Sequence, residues 1–389
     1  MSELNLTHSN GNQVKLTTPD TLTASKTFKL PGTDGSGGQV LQTDGSGALS
    51  FAPQAQSNRR LNYNGSMMIS QRGDGTGHIA SIHSGPDRYL TQMANAGTWS
   101  ISQDSDVPDG YGFEYSKKWT CTATSSHADR YMKLIYRMEG FDSMVFNYGT
   151  ANAKPCTLSF WVKCKKAGNI QVNFENEQNP DRGYQVQQTI NVADTWEKKV
   201  VTITGDTQRT LTTGSQKAFC FDIVWTAFGT SYNGGTPSAA WSDLANNQRG
   251  THCDIDLCDS TSNYINITGI QLELGVYASD FEHVPYADEL ARCQRYCQKA
   301  SVYVASGTSG NNNIYGFTVN FMTEMRAAPT LHSSSGINGT GSFSSRRSGS
   351  ETLGNPTIRN SNTNSVTLGH NTGQQADWLY GQVLMECEI

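Results

Sequence analysis

Charge is scarce in this 389-residue sequence: Asp, Glu, Lys and Arg together make up 16%, against roughly 25% in an average soluble protein. The 29 basic and 34 acidic residues leave a formal charge of -5, and no dense Lys/Arg run is present. Neither nucleic acid nor an anionic membrane surface is therefore expected as a partner. No apolar stretch reaches the length of about 18 residues that a membrane-spanning helix needs. The opening Met-Ser-Glu-Leu-Asn-Leu has no basic and apolar leader, so neither membrane insertion nor export by a signal peptide is expected.

Paired metal-ligand spacings are also missing. Nine cysteines stand at 121, 156, 164, 220, 253, 258, 293, 297 and 387 without a single C-x-x-C. A chain of this size does not need disulfide staples, so the thiols are read as free, small and buried. Cys156 and Cys164 would share one face of a strand, and Cys293 and Cys297 one face of a helix. The eight histidines form no H-E-x-x-H or H-x-E pattern. No G-x-S-x-G, P-loop or dinucleotide-binding glycine pattern occurs in its required context. No enzyme activity, cofactor or metal is expected from these motifs.

What the sequence does have is Gly, at 38 residues, together with many Ser, Thr and Asn. That composition, with short β-branched and aromatic runs between turn signals, predicts an all-β protein. Its length suggests two or three domains. Residues 1–55 hold short apolar runs and the pentapeptide TDGSG twice, at 33–37 and 43–47. Asp-Gly supplies the positive φ of a tight hairpin turn, so a small β-meander of three strands is predicted. Its apolar residues Phe28, Leu30, Val40, Leu41, Leu49 and Phe51 cannot bury one another in so small a sheet, and copies of the chain or a partner must cover them.

Residues 56–60 read as a linker. From 61 to 285, runs such as Met132–Arg137, Thr157–Val162, Ile170–Phe174, Lys199–Ile203, Ala218–Trp225 and Ile265–Leu274 alternate on two sides, which predicts a jelly-roll β-sandwich. Leu290, Cys293, Tyr296 and Cys297 recur at helical spacing and predict a connecting helix over 286–300. Residues 301–389 read as a smaller C-terminal β-domain with long polar loops at 333–350 and 360–375.

Two aromatic residues stand in a polar loop without alternation to hide them: Tyr232 and Trp241, within 229–242. A flat ring there could stack on a sugar while neighbouring Asn, Asp and Gln fix its hydroxyls. Trp241 could equally plug the end of the sandwich. Arg72-Gly-Asp74 matches a cell-adhesion tripeptide but reads as a turn. Glycosylation sequons start at Asn5, Asn64, Asn266 and Asn338.

The runs Ala151–Lys163, Asp194–Ile203, Ile267–Gly275, Phe281–Tyr286 and Glu289–Tyr296, with Met325–Thr330 further on, resemble bacteriophage tail-fibre and related virion structural proteins. The middle part of such proteins is similar to the jelly roll of carbohydrate-binding modules. The Leu16–Ala24 stretch and the TDGSG pair resemble phage fibre attachment segments. One departure is Cys297, where the family often has a second Tyr. The resemblance implies a virion protein on the phage tail, a homotrimeric fibre or adhesin. It would attach by its N-terminus to other tail proteins and recognise host cell-surface polysaccharide. A capsid fibre or decoration protein is the alternative placement, and a polysaccharide depolymerase the enzymatic alternative. The shared runs are strand cores and the helix, so they fix no sugar-contacting residue.

Overall fold

The computed structural model describes residues 3–7, 9, 13–17, 27–32, 34–35, 39–43, 46–53, 58–177, 182–305, 314–331, 343–347, 350–354, 357–371 and 378–388. The chain is all-β, as its composition predicts, and divides into two compact units, Met1–Asn58 and Arg59–Ile389.

In the first unit, β1 (Glu3–Thr7) pairs antiparallel with β2 (Gln13–Thr17), and β3 (Gln39–Thr43) with β4 (Leu49–Pro53). The second TDGSG joins β3 to β4 as a hairpin. Gly47 has φ +101°, and a Cβ there would stand 2.4 Å from the Thr27 carbonyl oxygen, so glycine is required. Of the first copy only Asp34 and Gly35 are described. Thr33 and Ser36–Gly38 lie outside the described residues, and Lys29, just before them, bridges Ala48 in the parallel sense, not as the antiparallel neighbour a meander would supply. Phe28 and Leu30 remain 64% and 77% exposed, Val40, Leu41 and Phe51 are exposed, and Leu49 is half-buried.

The second unit opens with β5 (Gly75–His78), β6 (Tyr89–Ala94), β7 (Thr98–Asp104), β8 (Ser116–Ala123) and β9 (Tyr131–Glu139). A short helical turn, α1 (Gly140–Ser143), precedes β10 (Cys156–Cys164), β11 (Gly168–Asn176), β12 (Arg182–Ile190), β13 (Glu197–Ile203), β14 (Lys217–Ala227), β15 (Ser242–Asp243) and β16 (Tyr264–Leu274). These strands form two six-stranded sheets, in the orders β13-β10-β16-β8-β7-β5 and β15-β12-β11-β14-β9-β6. Every pairing between them is antiparallel. The inner faces alternate as strands must: Leu158, Phe160 and Val162 of β10 and Ile265 and Ile267 of β16 share one core with Phe219, Phe221, Ile223 and Trp225 of β14. Trp119 and Trp225 meet across it, ring centroids 4.8 Å apart. Each large side chain buried this way contributes about 1.5–3 kcal/mol.

The predicted helix is shorter than its apolar spacing suggests. α2 spans Tyr286–Gln294 and buries Glu289 and Cys293, one turn apart. Cys297 is already the first residue of β17 (Cys297–Ala305), paired with Glu386. A run of four alternating residues satisfies helix and strand patterns alike, and here pairing with the last strand decides.

The remaining strands are β18 (Ile314–Asn320), β19 (Thr330–Leu331), β20 (Phe343–Arg347), β21 (Ser350–Gly354), β22 (Thr357–Ser361), β23 (Ser365–Asn371) and β24 (Trp378–Glu386). They form sheets ordered β17-β24-β20-β21 and β18-β23-β22 over a small core of Met325, Val366, Leu368, Val383 and Met385. The two stretches expected to be loops therefore contain strands. β20 and β21 form a hairpin inside 333–350 and its border, and β23 occupies much of 360–375. β20 and β21 carry no apolar alternation, and β23 alternates only at Val366 and Leu368 within a run of Ser, Thr, Asn and Gly, which is why these stretches read as loops. Among the described residues, no helix is long and apolar enough to cross a membrane.

Candidate functional site

The outer face of the sheet β15-β12-β11-β14-β9-β6 is polar, because alternation that sends Met132, Leu134, Tyr136 and Met138 of β9 inward sends Tyr131, Lys133, Ile135 and Arg137 outward. Register then aligns polar residues in rows across the strands. Gln92, Lys133, Val224, Gln171 and Gln187 form one row; Leu90, Ile135, Asp222, Asn173 and Gln185 the next; Arg137, Cys220 and Glu175 a third.

Half of this face is roofed by the loop that follows β14. Its backbone docks on the glutamine and asparagine rows: the Gln248 carbonyl accepts from Gln171 Nε2 (2.9 Å) and Gln185 Nε2 (2.6 Å), and the Arg249 carbonyl from Asn173 Nδ2 (3.0 Å). The His252 amide donates to Gln171 Oε1 at 2.9 Å. Against the edge of that roof lies a cleft of about 330 Å3, lined by Gln92, Tyr131, Lys133, Arg137, Glu175, Glu177, Cys220, Tyr232, Asn246 and Arg249 among others.

Every cation lining the cleft has a carboxylate at hand. Arg137 grips Glu177 with two hydrogen bonds, 2.8 Å from Nε and 3.0 Å from Nη2. Arg249 Nη1 bonds Glu175, and Lys133 Nζ lies 2.6 Å from Asp222 Oδ2. Asn173 Nδ2 donates to the other Asp222 oxygen at 2.8 Å. Burial alone would strip the charge from Lys133, but the Asp222 carboxylate outweighs it and holds the ammonium above its usual range. Burial would also raise Glu175; Lys133 and Arg249 overcome it and hold that carboxyl below its usual range. At Asp222 burial prevails over the pull of Lys133, and the carboxyl is pushed up.

The aromatic end of the cleft is Tyr232 lying flat on Tyr131, centroids 4.4 Å apart and planes 10° from parallel. Tyr232 is held from below: Asn233 Nδ2 donates to the Ala227 and Cys253 carbonyls, and the Gly250 amide to the Tyr232 carbonyl. The Tyr131 ring is 3% exposed, and its hydroxyl is a buried polar atom without a hydrogen-bond partner. Such an orphan costs about 1–3 kcal/mol.

Of the two loop aromatics singled out in the sequence, only Tyr232 reaches the cleft. Trp241 packs edge-on against Tyr148 and Tyr184 and donates its Nε1 to the Thr204 carbonyl at 2.8 Å, so it closes the sandwich end. The polar residues beside Tyr232 come from β6, β9, β11 and β14, from Glu177 just past β11, and from Asn246 and Arg249 of the roofing loop, and carry no local motif. Only the outward half of each alternating run could have pointed to them.

Other sequence features resolve as structure. Glu175, Glu177 and Cys220 bring possible ligand atoms within 4.8 Å of one another. Both carboxylates already face cations and burial pushes the thiol well up, so the geometry is that of an ion-paired row and assigns no metal. Arg72 of the Arg-Gly-Asp tripeptide is buried between Asp87, Glu386 and Glu388, which removes it from any adhesion surface. The Asn64 and Asn266 sequons are fully buried. All nine cysteines are free and buried.

No protein-family model and no curated protein matches the chain. Among solved structures, the enzymatically active domain of bacteriophage CBA120 tailspike protein 4 matches over 59% of this chain at 12% identity and a TM-score of 0.29. The match spans only 25% of that tailspike chain. The family 11 carbohydrate-binding module of the Clostridium thermocellum cellulase Lic26A-Cel5E matches over 52% of this chain and 98% of its own, at 11% identity and a TM-score of 0.26. The module TmCBM61, in complex with β-1,4-galactotriose, matches over 48% and 88%, at 10% identity and 0.24. At such values no residue role passes from them to this chain.

Proposed function

We propose that this chain is a bacteriophage virion protein, a tail fibre or adhesin whose sandwich binds host-surface glycan in the cleft beside Tyr232. The observation that carries the reading is the Tyr131–Tyr232 stack at the end of a cleft lined by amide, guanidinium and carboxylate groups. An apolar ring face and convergent hydrogen-bonding groups match the two sides of a sugar. The virion role rests on the sequence runs shared with phage fibre proteins. The small N-terminal unit is the attachment end, and its exposed Phe28, Leu30, Val40, Leu41 and Phe51, with Leu49, make the contact between three copies. Trimerisation would turn weak single-site binding into avidity.

The cleft is read as binding without cleaving. Glu175 and Glu177 are held by arginines, and Asp222, whose carboxyl burial pushes up, lies against Lys133 and Asn173; this pairing supports binding, and release of reducing ends is the test of cleavage. The experiment is competition of purified protein against phage adsorption, with a glycan array to name the ligand. Tyr232→Ala is expected to weaken glycan binding about tenfold, close to the 1.4 kcal/mol of a ring contact. Trp241→Ala should lower the melting temperature and leave affinity intact. Equal binding by parent and Tyr232→Ala, or release of reducing ends from host polysaccharide, would overturn the reading.

A further inference from the structure

Resting on the glycan-binding reading, we propose that the cleft selects uncharged saccharides and rejects those bearing uronate, sialate or sulfate groups. The reason lies in how its ions are paired. The two guanidinium groups that line it, Arg137 and Arg249, are each engaged by a carboxylate of the same cleft, Glu177 and Glu175, and Lys133 by Asp222 beneath. An anionic sugar that reaches a guanidinium N–H must also lie against the carboxylate that the same guanidinium holds, so that two like charges face each other inside a partly desolvated site. Glu175 is 3% exposed and Glu177 10%, so water would not screen the conflict.

A neutral hydroxyl meets no such conflict. A guanidinium–carboxylate pair offers donors and acceptors side by side, and a hydroxyl is both. The amides of Gln92 and Asn246 add the same dual capacity without charge. Among the residues lining the cleft, the one buried side-chain atom without a partner is the Tyr131 hydroxyl, again a neutral group.

The test compares the full chain's affinity for neutral gluco-, galacto- and manno-oligosaccharides with that for glucuronate, galacturonate and mannuronate oligomers of matching linkage and length. Titration calorimetry is run at low and high salt. The parent is expected to bind at least one neutral series, with little salt dependence, and its uronate counterpart at least about tenfold more weakly. Glu177→Gln removes a carboxylate that both Arg137 and Lys217, 3.7 Å away, face, makes the cleft more positive by one charge, and should raise the uronate-to-neutral affinity ratio about tenfold. The double change Arg137→Gln with Glu177→Gln removes both charges and should return the ratio to that of the parent, which guards against a folding artefact in the single variant. Uronates bound as tightly as neutral sugars, or a ratio unmoved by Glu177→Gln, would overturn the selectivity while leaving glycan binding in place. Failure of every sugar to bind would overturn glycan binding itself, and the selectivity with it.

Discussion

His83 and Glu388 lie in one buried charge cluster where Arg72 and Arg88 meet the segment after β24. Burial pushes the His83 imidazole down to about 3, with Arg72, Lys117 and Arg88 acting the same way and Glu388 opposing. Burial would raise Glu388, but Arg88, His83 and Arg72 hold it down at about 2. Both folded values lie below the unfolded ones of about 6.5 and 4.3. As pH falls, the unfolded chain takes up each proton first, so stability falls with it. The His83 share is lost from about pH 6.5 downward and the Glu388 share from about pH 4.5 downward. Thermal unfolding of His83→Gln should show a shallower decline in melting temperature between pH 6.5 and 5 than the parent; equal slopes would refute the assignment. Little of this cluster was legible in the sequence. Arg72 drew notice for a tripeptide match, and its true partners lie 15 to 316 positions away, a distance that no local pattern spans. Tyr232 was legible because an aromatic residue in a polar loop has no alternation to explain it.

At the scale of elements, the strands with strong β-formers were all visible: β9 to β14 and β16 lie where their alternation puts them. β5, β6, β7 and β8 were missed, since the Gly, Ser, Thr, Gln and Lys among their residues dilute the apolar signal. β16 also hides an irregularity. Gly269 sits in it at φ +60°, where the pairing with β10 slips between Ser159 and Trp161, and the alternation of apolar residues changes phase there. A Cβ at this position would stand 2.6 Å from Phe113 Cζ and 2.9 Å from Trp161 Cδ1. Gly269→Ala combines left-handed backbone strain with overpacking and should cost roughly 2–4 kcal/mol, read as a lower urea midpoint with unchanged slope. An unchanged midpoint would mean that the bulge relaxes freely.

For the whole molecule, the division falls between a small unit whose Phe28, Leu30, Val40, Leu41 and Phe51 are exposed and a large one built on its own buried core, with Phe141, Tyr277 and Met322 among the apolar residues on its surface. The trimer proposed above places the need for copies entirely in the first. Leu30→Asp with Leu41→Asp should therefore turn a trimer into a monomer in sedimentation while leaving the main melting transition, that of the sandwich, in place; a trimer that survives both changes would move the contact elsewhere. The doubled TDGSG suggested two equal turns; the second copy lies between the paired strands β3 and β4, and most of the first lies outside the described residues. The nine sulfhydryl groups, finally, bear on where such a molecule can work. Each is sealed from solvent, and burial raises Cys156 and Cys258 to about 12, so reactive thiolate is scarce. A fold whose nine thiols are free and buried is expected to keep the same covalent structure in a reducing and in an oxidising medium, which equal melting temperatures with and without reductant would check.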